Sequence, residues 1–315
     1  MTAGALYRLY GLALSTPLDL PCPAASGARR TDVRLRAGSR ARFAALRSLT
    51  RSGRPSRSWF TCRRLDDGAT YLRWAGLFEF LVAPDGRDIR FHRLPKATWE
   101  SLSTYLLGQV LSFSLLAFGV EPLHGTAVVV DGRAIGFLGD CGYGKSTLGA
   151  AFLRLGYPIL TDDLMVLART RSGWDVQPGM PRIKLFPGVA RPVLGVARGV
   201  APLNDGTAKQ IFPLGEGQAY RRPAPLHALY VLGDPATAER RDAERIAIEP
   251  LSAGAALLEI VRSTFNTIVT DRARLARQFA FASELAAAVS VRRLSYARSL
   301  TRLPAVCEAV LADRP

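Results

Sequence analysis

Nine consecutive residues, Gly139-Asp140-Cys141-Gly142-Tyr143-Gly144-Lys145-Ser146-Thr147, carry the spacing Gly-x-x-x-x-Gly-Lys-Ser. Each fixed type has a chemical reason. Glycines let successive backbone N–H groups turn inward onto phosphate oxygens, a lysine reaches the β- and γ-phosphates, and a serine hydroxyl takes a place on Mg²⁺. The nonapeptide is read as a nucleotide phosphate loop. Farther along, Asp162-Asp163 closes the apolar run 157–161. Carboxylates at the end of a strand beside such a loop are where the metal-facing acid of a phosphate-loop protein stands. Adjacent residues of an extended segment point to opposite sides, so one acid is expected on the metal and the other on an acceptor hydroxyl. The residue types do not say which is which.

Three more groups fall near these in the expected fold. His124 heads the strand paired with the one that feeds the loop. Arg182, Lys184 and Lys209 offer cations to a phosphate. The lysines stand out because 38 of the 42 basic residues are arginine. A retained lysine in such a chain suggests a place for a compact ammonium rather than a planar fork.

The elements that must position these groups are legible around them. Residues 134–138 read as a buried strand entering the loop, and 145–155 as the helix leaving it, stopped by Gly156. Asp131-Gly132 between 126–130 and 134–138 is a two-residue hairpin signal. Residues 97–118 read as a buried helix, interrupted by too many polar residues for a membrane span. Ser252 and Asp271 are expected to cap helices reaching about 262 and 289, followed by a strand at 291–296 and a helix at 304–312. Residues 1–95 read as β-rich, from the runs 5–14, 31–35, 59–63, 69–74, 78–82 and 89–91 between turn-forming clusters. The expected division is therefore a smaller β-rich region, 1–95, and a phosphate-loop unit, 96–315. His92 and His227 are read as structural.

Net charge is +16. Twelve arginines and a single acid, Asp32, lie between Arg29 and Arg64. This stretch is either a docking patch for an acidic peptide or the solvated surface of an arginine-rich composition. The four cysteines are far apart, without metal spacing, and residues 1–20 lack the pattern of a signal peptide, so a cytoplasmic protein is expected.

The combination of His124-Gly125, the hairpin, Gly-x-x-Gly-x-Gly-Lys-Ser and a strand ending in Asp-Asp resembles the HPr serine kinase/phosphorylase family. It is most similar to the HPr-kinase-like enzymes of lasso-peptide gene clusters, which share the Leu-His-Gly-x-Ala-Val, Asp-Gly and Gly-Lys-Ser-Thr-Leu patterns. Tyr-Pro-Ile-Leu-Thr-Asp-Asp-Leu at 157–164 and Ile183-Lys184-Leu185 match as well. The strong likeness covers about 120–190. Cys141 stands where HPr kinases usually carry serine. The resemblance implies an α/β kinase unit with a mixed sheet, related to phosphoenolpyruvate carboxykinase. It also implies ATP and Mg²⁺ as cofactors and a serine acceptor, which in the lasso branch is the C-terminal serine of a precursor peptide. Residue by residue, it implies phosphate binding by Gly139 to Thr147, Mg²⁺ on Ser146 and Asp163, and Asp162 as the base assisted by His124. Two other classes compete: a phosphate-loop ATPase without acceptor, and a module that binds nucleotide or nucleic acid without turnover. A pure binder has no use for the Asp pair and His124, which makes a nucleic-acid partner the weaker expectation. A homo-oligomer is left open.

Overall fold

The run 5–14, expected as one strand, folds back on itself at Tyr10-Gly11, where both residues adopt positive φ (53° and 81°). Tyr10 rarely takes that conformation, and the glycine beside it completes the tight reversal. The resulting hairpin, β1 (Ala5–Leu9) and β2 (Leu12–Thr16), is one end of a seven-stranded sheet. The others are β3 (Val33–Ala37), β4 (Phe60–Arg64), β5 (Thr70–Trp74), β6 (Phe78–Val82) and β7 (Asp88–Arg93), in the order β1-β2-β3-β7-β6-β5-β4. The structure, a computed structural model, describes residues 5–25, 30–49, 59–196, 199, 201–204, 207–237 and 245–313. Arg29, Arg51, Arg54 and Arg57 of the basic stretch lie outside the described residues.

Helix α1 (Arg40–Leu49) lays Phe43 and Leu46 on Tyr71 and Leu81 of this sheet. Its Arg47 pairs with Glu79, which is fully buried. Tyr71 donates its hydroxyl to the same carboxylate at 2.5 Å, and His92 Nδ1 lies 3.1 Å from it while its ring stacks on Phe43. His92 is thus part of a buried network, consistent with a structural role. The helical segment forms as α2 (Trp99–Tyr105) and α3 (Leu111–Ala117), joined by one π turn, Leu106–Val110. Tyr105 packs on Trp74 and Phe78 at 4.9 and 4.8 Å between ring centroids. The chain accordingly divides into Met1–Val120 and Glu121–Pro315. This corrects the expected boundary at 95/96: aromatic packing draws the helical segment into the first unit.

In the second unit, β8 (Leu123–Val130) and β9 (Arg133–Leu138) form the expected hairpin, with Asp131 and Gly132 both at positive φ. Helix α4 (Lys145–Arg154) leaves the loop after β9, and β10 (Ile159–Met165) pairs antiparallel with β8. After β11 (Leu167–Thr170) and β12 (Gly173–Val176) come β13 (Arg182–Leu185), α5 (Pro187–Leu194), β14 (Ala201–Asn204) and β15 (Thr207–Pro213). Strands β13, β15 and β14 make a small antiparallel sheet of their own. The chain ends with β16 (Ala224–Leu232), β17 (Ala247–Pro250), α6 (Ala253–Arg262), α7 (Arg272–Ala288), β18 (Ser290–Ser295) and α8 (Leu303–Ala312). Ser252 and Asp271 cap α6 and α7 as expected, each accepting from a backbone N–H three residues on.

The main sheet is mixed. Strand β16 runs parallel to β9 and β18, whereas β8–β9, β10–β8 and β17–β18 are antiparallel. Alternate residues of its strands feed two cores. Val128, Ile135 and Phe137 pack with α4 and α8, while Ala127, Val129 and Leu138 pack with α6 and α7. The unit is a helix–sheet–helix α/β fold. Phe137 on β9 and Phe152 on α4, both fully buried with centroids 5.5 Å apart, tie together the two elements that flank the phosphate loop. Truncating either ring to alanine costs about 3–5 kcal/mol.

Candidate active site

The phosphate loop joins the end of β9 to α4, and its backbone shows why glycine is needed. Gly139 adopts φ +132°, and a Cβ there would stand 3.1 Å from the carbonyl oxygen of Leu232 on β16. Gly144 is the left-handed residue preceding Lys145, and no acid lies in the first turn of α4. The helix N-terminus therefore presents free N–H groups and positive potential to an anion. Lys145 is buried, and its ammonium donates to the carbonyls of Gly139 (2.6 Å) and Asp140 (3.0 Å). Burial lowers its pKa, against the attraction of nearby acids.

The two aspartates are placed by the antiparallel register of β10 on β8, in which Asp162 stands opposite Thr126 and Asp163 opposite Gly125. Asp162 is buried. Its Oδ1 accepts from Ser146 Oγ (2.7 Å) and Thr126 Oγ1 (2.7 Å), and its Oδ2 accepts from the backbone N–H of Lys184 (3.0 Å). Asp163 takes φ +87°, a strained conformation for a residue with a Cβ. Its Oδ2 lies 2.6 Å from Lys184 Nζ and its Oδ1 3.7 Å from His124 Nδ1. Simple alternation would send the two acids to opposite faces of the strand. The positive φ breaks that alternation, and both line one cavity.

Electrostatics separate the roles further. Burial opposes the ionisation of Asp163, but the Lys184 ammonium and, more weakly, His124 and Arg182 outweigh it and hold the carboxyl below the usual carboxylate range. Burial lowers the His124 pKa despite the attraction of Asp163, so its imidazole is neutral at neutral pH. A neutral ring beside a carboxylate can accept or pass a proton.

The cavity encloses about 730 Å³ and is lined by 141–147, His124, Thr126, Asp162, Asp163, Lys184 and Lys209. Lys209 Nζ sits 5.4 Å from the centre of the Phe186 ring, on the cavity wall. Gly139 and Asp140 do not line the cavity, and their carbonyls hold Lys145. Arg182 acts on Asp163 through its charge and does not line the cavity among the described residues. Several lining residues were not anticipated. Thr126 lies two residues after His124 on β8, so strand periodicity alone puts both on the same face. Tyr296, Arg298 and Leu300 arrive from the segment after β18, and Arg298 donates to the carbonyl of Gly142 at 2.8 Å. Their distance in the sequence left no local signal.

The donor set fits Mg²⁺ with a nucleotide. One buried carboxylate oxygen converges with the Ser146 and Thr126 hydroxyls, and Mg²⁺ commonly takes one or two carboxylates and fills the remaining positions with phosphate and water oxygens. Among the described residues no cluster of three or more His, Cys, Asp or Glu stands ready to hold a metal by itself. No helix among them is long and apolar enough to cross a membrane.

No family model matches the chain. No curated protein matches it either. Among solved structures it is similar to the Hpr(Ser) kinase/phosphatase from Coxiella burnetii, at 14% identity and a TM-score of 0.34, covering 60% of this chain and 93% of that one. A likeness of that size says nothing of what the cavity does.

Proposed function

We propose that the protein transfers the γ-phosphoryl group of ATP to a serine hydroxyl of a peptide or protein. The observation that supports this best is the division of labour between two adjacent acids on one cavity. Asp162 is tied to the phosphate-loop serine, and Asp163 to Lys184 and His124. A passive binder has no need of the second arrangement, and dependence of turnover on an acceptor separates a kinase from a nucleotide hydrolase.

In this reading the N–H groups of the loop and the Lys145 ammonium hold the β- and γ-phosphates. Ser146 and Asp162 hold Mg²⁺, which supplies charge neutralisation at the phosphates. This reverses the assignment that the family resemblance implies, in which Asp163 was the metal ligand and Asp162 the base. Asp163, with His124 beside it, orients the acceptor hydroxyl and accepts its proton. The serine oxygen bonds to the γ-phosphorus as the bond to the bridging β–γ oxygen breaks, leaving ADP and a phosphoserine. Lys184 keeps Asp163 ionised, and Lys209 adds positive charge to the wall. Phosphoryl transfer needs positioning and charge stabilisation more than covalent chemistry from the protein, and these residues supply both.

The finer identity of the acceptor, the C-terminal serine of a lasso precursor peptide, rests on the sequence resemblance alone. The arginines between Arg29 and Arg64 are its proposed docking patch, and the cytoplasm its proposed compartment. ATP consumption measured with and without a serine-terminated precursor peptide tests the reading. A kinase turns over mainly when the acceptor is present. Equal consumption in both conditions would favour an ATPase.

A further inference from the structure

Glu121 and Arg274 form an ion pair whose side chains are both about 1% exposed, at the foot of the strand that carries His124. Arg274 Nε and Nη2 donate to Glu121 Oε2 at 3.3 and 3.2 Å. The remaining donors of the same guanidinium go to backbone carbonyls of a single turn. Nη2 reaches Phe265, and Nη1 reaches Asn266 and Val269, each at 2.6 Å. One helical turn farther along α7, Gln278 Nε2 donates to Thr264 Oγ1 at 2.5 Å. The connection between α6 and α7 is therefore gripped from inside by two side chains of α7.

That connection is what His124 leans on. The His124 backbone N–H donates to the Ser263 carbonyl at 2.6 Å, and the Phe265 N–H to the Pro122 carbonyl at 2.8 Å. The Phe265 ring stands 5.7 Å from the imidazole, centroid to centroid. On its other side the imidazole faces Asp163. Burying a guanidinium and a carboxylate is costly, and an apolar pair of similar size often serves stability as well. What an apolar pair cannot do is collect three carbonyls of one turn and set its conformation. A planar guanidinium has the donors for that.

We infer that Arg274 is a positioning residue: through the 263–269 turn and the Phe265 ring it fixes the orientation of His124 toward Asp163. The consequence for turnover rests on the kinase reading above, whereas the consequence for the ring does not. The test uses the full chain and the paired replacement Glu121→Leu with Arg274→Met, which strands no charge. The chain has three histidines, so the His124 ring resonances are assigned by their loss in His124→Gln, with His227 as internal reference. The expected result is a shifted or broadened His124 ring signal with His227 unmoved. The kcat for a serine peptide is expected to fall tenfold or more with KM for ATP within twofold, and the paired replacement is expected to add no further loss in the His124→Gln background. An unmoved His124 signal would overturn the proposal even if the parent proved not to be a kinase. So would the same fold-loss of kcat with and without His124, which marks a merely structural pair. Should the paired variant not fold, Arg274→Lys, which keeps the charge and loses the fork, carries the same readouts.

Discussion

The Ser146 hydroxyl donates to Asp162 Oδ1 at 2.7 Å, linking the first turn of α4 to the middle of β10, which continues past the expected Asp-Asp end to Met165. Asp163, the next residue, turns instead to Lys184 and His124. One backbone dihedral, the positive φ of Asp163, sets both acids on the same cavity with different partners.

Replacing each acid by its amide distinguishes their roles. Asp162→Asn is expected to raise the Mg²⁺ concentration needed for half-maximal activity, with near-parental turnover at saturating metal. Asp163→Asn is expected to lower kcat by about 10²–10⁴, the usual contribution of a general base, with ATP affinity little changed. Mg²⁺ titrations and steady-state kinetics of both variants decide. Exchanged phenotypes would restore the assignment drawn from the family resemblance.

Lys184 sets the protonation of Asp163. Burial alone would raise that carboxyl's pKa, and the ammonium 2.6 Å away is the chief opposing influence. Lys184→Met removes the ammonium and keeps the burial, so the Asp163 pKa rises. The acid limb of the kcat–pH profile is then expected to move to higher pH. A limb that stays in place in a folded, active Lys184→Met protein would separate Lys184 from the proton-accepting group.

His124 links folding to pH. Burial holds its imidazole below the usual value of 6.5, so the unfolded chain binds more protons than the folded one in the window below that value. Its contribution to stability is present above about pH 6.5 and is lost as pH falls toward the lowered value. His227 is lowered by burial too and acts in the same direction. Urea unfolding across pH 5–7 is therefore expected to show a shallower slope for His124→Gln than for the parent, with the remainder set by His227 and, in the opposite direction, by Glu121, whose carboxyl pKa burial raises. Identical slopes would mean that His124 is not held neutral by the fold.

Much of this was legible in the sequence, for definite reasons. The phosphate loop is contiguous, its glycines are dictated by backbone conformation, and hairpin and helix signals such as Asp131-Gly132, Ser252 and Asp271 are local chemistry. The meeting of Thr126 with Asp162 and of His124 with Asp163 comes from the register of β10 on β8, which no local pattern encodes. The placement of both acids on one cavity was not legible because period-two alternation is the default for a strand, and nothing about an aspartate announces φ +87°. The buried partner of His92 and the inclusion of α2 and α3 in the first unit depend likewise on long-range packing, on Glu79 and on Trp74 and Phe78.

The arginine-rich stretch is expected to act through charge on an acidic peptide acceptor. Reversing Arg51, Arg54 and Arg57 to glutamate should raise the KM for such a peptide, leave the KM for ATP nearly unchanged, and flatten the salt dependence of peptide binding. Equal peptide KM values for reversed and parent proteins at low ionic strength would show that the stretch reflects composition alone.

Phosphoserine formed per ATP consumed, compared between the parent and Lys145→Ala, tests the central claim most directly. The parent is expected to yield one phosphoserine on the acceptor peptide for each ADP. Lys145→Ala, verified as folded by its circular dichroism, is expected to lose at least about a hundredfold in that rate, because the charge developing on the transferred group is left uncompensated. ATP consumed by the parent without phosphoserine, or Lys145→Ala working within about tenfold of the parent, would contradict the account.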